Sequence, residues 1–354
     1  MKTALTQLVG VEHPVVQTGM GWVAGPRLVA ASAQAGGLGI LAAATMSFGE
    51  LEQAIAETKS RTDKPFGVNL RSDAVDAQQR IDLLIREKIR VASFALAPKP
   101  DLIKKLKDAG TLVIPSVGAV RHAEKVASWG ADAVIAQGGE AGGHTGSVPT
   151  TLLIPSIVDA IDIPVIAAGG FFDGRGLAAA LSYGAAGIAM GTRFLLTKES
   201  TVPETVKQFY LNHGLDGTVV TRRVDGVPHR VLRTELVNKL EKSGRLRSVL
   251  YAIANASKFK KLSGLSWTAM AREGWSMRRE RTLSQVIMAA NTPMLLRAGL
   301  VEGRTDAGVL AAGQVVGMLD DLPTCHDVIT GAVAEASEIL RKLGQASLVQ
   351  PRGE

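Results

Sequence analysis

Over the first 195 residues, short apolar runs alternate with stretches whose apolar positions recur every three or four residues. The runs are 13–20 (HPVVQTGM), 37–44 (GLGILAAA), 65–71 (PFGVNLR), 91–96 (VASFAL), 112–118 (LVIPSVG), 133–138 (AVIAQG), 164–170 (PVIAAGG) and 187–193 (GIAMGTR). Most residues within a run are apolar, as in a parallel strand covered on both faces; a strand with one wet face alternates instead. The intervening segments, such as SFGELEQAIAETKS and DAQQRIDLLIREK, carry helical spacing. Ser47 followed three residues later by Glu50 predicts a capping box, and Asp173 predicts a cap on the helix after the seventh run. Gly110, Gly130 and Gly184 mark helix ends. Eight such strand–helix units predict an α/β fold, a closed (β/α)8 TIM barrel. The alternative is an open doubly wound sheet. Its fingerprint is missing, because GGLGI at 36–40 precedes a strand instead of opening a helix.

After Arg193 the rhythm stops. Residues 198–281 read as helices and loops, 282–317 as helical segments leading into AAGQVVGML, and 325–343 as a last helix. The expected organisation is a barrel domain from 1–197 together with 282–354, bearing a mostly helical, basic segment at 198–281. Charge sharpens that boundary. The chain carries a net +7, yet 198–281 alone holds 17 Lys and Arg against 8 Asp and Glu. A local excess suits a local anionic partner; a solvated basic surface is the plainer reading. The opening MKTALTQLVGVEHP lacks the apolar core of a secretory signal, and no apolar run approaches the length of a membrane span. Cys325 is the only cysteine, so no internal disulfide can form. Together these predict a cytoplasmic protein with no membrane and no nucleic-acid partner, acting on a small molecule. A homo-oligomer is compatible with the sequence.

In a barrel the chemistry collects where strands end. Here those positions are TGMGW (18–22), Asn69, Gln137 with the loop QGGEAGGHTG (137–146), Gly169–Gly170, and Gly191–Thr192–Arg193. No paired histidines, HExxH or carboxylate cluster stands among them, so no metal centre is expected. A serine nucleophile has no GxSxG support. What remains is amides, backbone N–H groups and glycines. That inventory suits a large, planar, phosphate-bearing cofactor: glycines after the last two strands let backbone N–H groups meet phosphate, and the Asn69 and Gln137 amides match the mixed polar edge of a flavin ring. Met20 adjoins this set, although Met on an apolar strand is commonly core filler. His144 is the candidate proton-transfer group. The other five histidines are less well placed: His13 precedes the first strand, His122 lies on an outer helix, and His213, His229 and His326 fall outside the barrel repeats.

With these residues in view, the chain resembles the nitronate monooxygenase family of FMN-dependent (β/α)8 barrels, which includes flavin enoyl reductases. The matching stretches are AQAGGLGIL (33–41), FGVNL (66–70), QGGEAGGHTG (137–146), PVIAAGGFFDGRGLAAAL (164–181), MGTRFL (190–195) and AAGQVVG (311–317). The resemblance implies FMN held by Gly21, Asn69, Gln137, Gly142, Gly143, Gly169, Gly170, Gly191 and Thr192, with Gln314 and Gly317 returning from the C-terminal part. It also implies His144 as base or proton donor. The chain departs from many members at Thr145, where they carry Arg. It looks closest to an actinobacterial branch encoded with steroid C/D-ring degradation, through 218–237 and 288–301. That branch implies an oxidoreductase introducing a C=C double bond into a hydroxy-indanone carboxyl-CoA. The alternatives are oxidation of alkyl nitronates with oxygen, and enoyl-thioester reduction. Coenzyme A carries a diphosphate and a 3′-phosphate, so Arg222, Arg223, Arg230 and Arg233 are candidate substrate contacts. Trp267 or Trp275 can stack on adenine, although packing explains each as well.

Overall fold

A computed structural model describes residues 1–242 and 283–346. Trp267, Trp275 and the basic stretch between residues 243 and 282 lie outside the described residues. The chain divides into two compact units. One comprises Met1–Glu140, Gly146–Thr201 and Asp321–Glu354; the other comprises Ala141–Thr145 and Val202–Asp320.

The first unit is a closed barrel of eight parallel strands: β1 (Val15–Gln17), β2 (Leu38–Ala42), β3 (Gly67–Leu70), β4 (Val91–Phe94), β5 (Leu112–Val117), β6 (Val134–Gln137), β8 (Val165–Ala168) and β9 (Gly187–Met190). Each of the eight lies within an expected run. Val16 pairs with both Leu38 and Ala189, and this double pairing of β1 closes the ring. Strands such as β2 and β8 are buried along their whole length, as their unbroken apolar sequences require. Val16, Ile40, Ile114, Ile135 and Ile166 pack together, and Leu5 and Val9 of α1 (Ala4–Val9) join that cluster.

The expected punctuation is present. Ser47 and Glu50 form the reciprocal capping box of α3 (Phe48–Arg61), and the Asp173 carboxylate accepts from Gly176 N at the start of α8 (Gly174–Ser182). Gly110, Gly130 and Gly184 end their helices with φ of 80°, 94° and 86°, values that only glycine adopts without strain. The last helix, Cys325–Ala346, packs on α8, where a Cβ on Gly174 would lie 2.5 Å from Ala336 N. Arg193, 7 % exposed, fastens the start of this C-terminal segment. Its guanidinium donates to the Asp321 carboxylate and carbonyl and to Leu196 O, each within 2.8 Å.

The second unit departs from the sequence reading of helices and loops. It contains a three-stranded antiparallel sheet in the order β10 (Thr218–Thr221), β11 (His229–Leu232), β7 (Gly143–His144). The run of β-branched residues Thr218–Val219–Val220–Thr221 and the Asp225–Gly226 turn are hairpin signals, masked in the sequence by the surrounding basic residues. Gly226 adopts φ 85° and its N–H donates to Arg222 O, which turns the connection. Val224, Val231, Val237, Leu240 and Val309 form the core of this unit. Among the described residues no helix is long and apolar enough to cross a membrane.

Candidate functional site

Within the barrel unit, the strand ends bring together Thr18–Gly21, Asn69, Ser93, Gln137, Gly169–Gly170 and Gly191–Thr192. The approach is tight where glycine stands. A Cβ on Gly19 would lie 2.5 Å from Asn69 Cβ, and one on Gly191 would lie 3.3 Å from Thr18 Oγ1 and 3.5 Å from Met20 Sδ. Asn69 Nδ2 donates to Ser93 Oγ at 3.3 Å, which aims the amide along the rim. Gly21 faces Thr45, and Trp22 N donates to Thr45 Oγ1 at 3.3 Å. Trp22 takes φ 65°, a left-handed conformation that costs a non-glycine residue about 1–2 kcal/mol. Arg80 anchors the turn that carries Thr45: Nη1 donates to Ala43 O at 2.9 Å, Nη2 to Met46 O at 2.7 Å, and Nε to Asp76 at 2.8 Å. A cavity of about 250 Å³ opens there, lined by Trp22, Val23, Gly25, Thr45, Met46 and Glu50.

Gly169 and Gly170 sit at φ 104° and 82° directly after β8, so a side chain at either position would be strained. Glu140 fixes this turn. Its carboxylate accepts from Thr150 N at 2.9 Å and from the Thr150 hydroxyl at 2.6 Å, and that hydroxyl also lies 3.1 Å from Gly169 O. The charge of Glu140 thus serves the start of the helix Thr150–Val158, where partial positive charge collects. One buried acceptor at the end of β1, Gln17 Oε1, has no hydrogen-bond partner among the described residues. Thr192 is buried at the first residue of the short helix Thr192–Leu195.

The glycines of 137–146 answer to two demands. A Cβ on Gly138 would fall 2.0 Å from Thr150 Oγ1, and one on Gly142 would fall 2.5 Å from Gly313 N, so at these points the protein's own chain is what comes close. Gly142 therefore lies against the residues that precede Gln314, the first residue of the 3-10 helix Gln314–Met318. Gly317 is needed for a similar reason, since its Cβ would lie 2.1 Å from Leu215 N.

Gly143 and His144 form β7, with Gly143 in register with Arg230 and His144 with His229. The His144 side chain is 61 % exposed, whereas those of Asp225 and His229 are 3 % exposed each. Asp225 Oδ2 stands 2.5 Å from His144 Nε2 and 3.3 Å from His229 Nδ1, and Oδ1 accepts from Val227 N at 3.2 Å. The two imidazoles lie 4.6 Å apart. Burial alone would raise the Asp225 carboxyl, but the hydrogen bonds from both histidines outweigh it and hold Asp225 well below the usual carboxylate range. His229 is lowered, first by burial and in opposition to its bond with Asp225, and so stays neutral. Three donor atoms of metal-binding type converge here within 4.8 Å, a grouping the sequence reading did not foresee. The Nε2–Oδ2 separation is that of a hydrogen bond; two ligands of one tetrahedral ion sit roughly 3 Å apart.

Asp225 and His229 are thus candidate site residues that the sequence alone did not bring forward. His229 stood outside the barrel repeats, and only the β7–β11 register brings it to His144. Of the four arginines, Arg222 and Arg233 are exposed, Arg223 is half-buried, and Arg230 donates from Nη1 to Thr218 Oγ1 at 2.9 Å. Among the described residues Arg222, Arg223 and Arg233 make no ion pair.

The nitronate monooxygenase family model matches residues 2–80 and 72–335. The chain belongs to the nitronate monooxygenase family. It is an enzyme, an oxidoreductase of that family. It is 69 % identical over 346 residues to the (3aS,4S,5R,7aS)-5-hydroxy-7a-methyl-1-oxo-octahydro-1H-indene-4-carboxyl-CoA dehydrogenase of Rhodococcus jostii, covering 97 % of this chain and 98 % of that protein. It is 67 % identical over 341 residues to the protein of the same name from Mycobacterium tuberculosis, covering 95 % and 96 %. Among solved structures it resembles FabK from Thermotoga maritima, with 35 % identity, a TM-score of 0.80, and coverage of 98 % of this chain and 99 % of that one.

Proposed function

We propose that the chain is an FMN-dependent dehydrogenase of a CoA thioester. It would introduce a C=C double bond into a hydroxy-indanone carboxyl-CoA intermediate of steroid C/D-ring degradation. The substrate class follows from the two relatives whose names carry it and whose sequences match nearly end to end. The observation that carries the chemistry is His144, an exposed imidazole hydrogen-bonded through Nε2 to a buried, ionised carboxylate.

The residues at the barrel rim fit FMN. The unpartnered Gln17 Oε1 supplies an acceptor, the Asn69 and Gln137 amides supply both donors and acceptors, and every side chain in this set is neutral. The backbone at Gly169–Gly170, held by Glu140 and Thr150, is the part suited to phosphate, with Gly191 and Thr192 beside the next strand. Met20, Gly21, Gly142, Gly143, Gln314 and Gly317 complete the proposed set. When bound, the flavin supplies an acceptor for the hydride that leaves the carbon β to the thioester.

The chain's own part is proton transfer. An ionised Asp225 demands an N–H at His144 Nε2, so the neutral ring carries its lone pair on Nδ1. Nδ1 takes the proton α to the thioester as the β C–H bond breaks and the double bond forms. The imidazolium that results is stabilised by Asp225, the relation that orients a base in hydrolytic triads. The arginines at 222, 223, 230 and 233 are proposed contacts for the phosphates of coenzyme A.

The purified protein is expected to be yellow, and anaerobic addition of the indanone carboxyl-CoA should bleach it. Bleaching by alkyl nitronates alone, with oxygen uptake in air, would favour the monooxygenase reading instead. Turnover only of enoyl thioesters with a nicotinamide donor would favour a reductase. A colourless protein that FMN does not reconstitute would end all three.

A further inference from the structure

Two imidazoles share one carboxylate oxygen. His144 and His229 both reach Asp225 Oδ2, one from an exposed strand and one from the unit's interior. An oxygen that accepts two hydrogen bonds offers less negative charge to each donor than an oxygen that accepts one. We infer that His229 is a positioning residue that tunes the base: by donating from Nδ1 to Asp225 Oδ2, it limits how strongly the carboxylate holds a proton on His144. The inference rests on His144 being the base.

The geometry fits a fixed device. β11 places His229 opposite His144 in register, and Thr145 N donates to Pro228 O at 3.2 Å, which locks the two strands beside the pair. Asp225 cannot swing away, because Val227 N holds Oδ1 and the flanking Val224 carbonyl accepts from Thr292 Oγ1 of the helix Leu283–Leu300. Burial keeps His229 in its neutral state, so it gives one N–H and no charge. A carboxylate facing only His144 would bind the imidazolium more tightly and so oppose release of its proton.

Among the described residues, His144 and His229 are the charged or titratable groups that act on Asp225. Arg222 and Arg223 belong to the same hairpin loop, with Arg223 N bonded to Thr221 Oγ1. Arg230 on β11 donates to Thr218 Oγ1, and Glu241 of the helix Glu235–Lys242 accepts from Thr221 Oγ1 at 2.5 Å. Each of these bonds runs to a hydroxyl of β10 rather than to Asp225.

The test is a titration of FMN-loaded protein with ¹⁵N-labelled histidine, together with the pH profile of kcat/KM. In the wild type, His229 should remain neutral with its proton on Nδ1 from pH 8 down to the acid edge of stability. In His229→Leu the His144 pKa and the acid limb of the profile should move up together, by about one pH unit. In His229→Asn, whose amide can take the place of the Nδ1 donor, both should return to the wild-type position. Unchanged His144 titration in His229→Leu, or a charged His229 in the wild type, overturns the inference. The spectroscopic shift does not depend on turnover. A His144→Ala enzyme that still turns over would therefore overturn the base reading while leaving the coupling measured.

Discussion

His144 Nε2 and Asp225 Oδ2 meet at 2.5 Å although 81 positions separate them in the chain. The exposed member of the pair can reach a ligand, and the buried member fixes its tautomer. Asp225→Asn removes the charge and keeps the shape. It should leave the FMN content and the far-UV spectrum intact and lower kcat by about 10²-fold or more, the usual worth of a positioned proton-transfer group. Rapid-quench turnover on the CoA thioester checks this, and a loss below about threefold would remove Asp225 from the mechanism.

His229 makes the second unit sensitive to acid. Its pKa in the folded protein lies below the ordinary 6.5, so as pH falls through that value the unfolded chain takes up a proton that the folded protein refuses. Stability then declines with falling pH. Asp225 works with the same sign but lower down: its contribution is complete above its ordinary 3.8 and is lost only as pH drops through the depressed folded value. Denaturation midpoints of wild type and His229→Asn should therefore diverge as pH falls below about 6.5, with the variant less affected by acid.

Arg193 and Asp321 form an unequal pair. Arg193 is buried and serves two carbonyls besides the carboxylate, whereas Asp321 is 61 % exposed. Arg193→Met leaves those carbonyls unserved in the interior and should cost about 3 kcal/mol. Asp321→Asn keeps its carbonyl and loses only a solvated charge, and should cost about 1 kcal/mol. Urea midpoints of the two variants test the order; equal losses would contradict it.

The proposed coenzyme A contacts separate from the chemistry by substrate truncation. Arg222→Ala with Arg223→Ala should raise KM for the CoA thioester about tenfold or more, the worth of one or two charge-assisted bonds to phosphate. It should leave KM for the pantetheine analogue nearly unchanged. Equal effects on the two substrates would make these arginines ordinary surface.

Much of the barrel was legible because its information is local. Eight apolar runs, a capping box at Ser47 and Glu50, and glycines at 110, 130 and 184 each follow from residues within a few positions of one another. The strand ends were equally legible, since a barrel puts the residue after each run at one edge. The Asp225–His229 pair was not. Its hairpin is short, its strands carry four residues each, and the basic residues around them suggest a helical surface. The meaning of Asp225 depends on a register between β7 and β11 that no local pattern encodes. The same holds for Gly142 and Gly317, whose constraint comes from backbone distant in sequence at Gly313 and Leu215.

The most direct measurement is a single anaerobic turnover of FMN-loaded protein with the hydroxy-indanone carboxyl-CoA, wild type beside His144→Ala. The account predicts rapid bleaching of the flavin in the wild type, and in the variant bleaching slowed about 10²-fold or more with FMN still bound. Equal bleaching rates in the two proteins would contradict it.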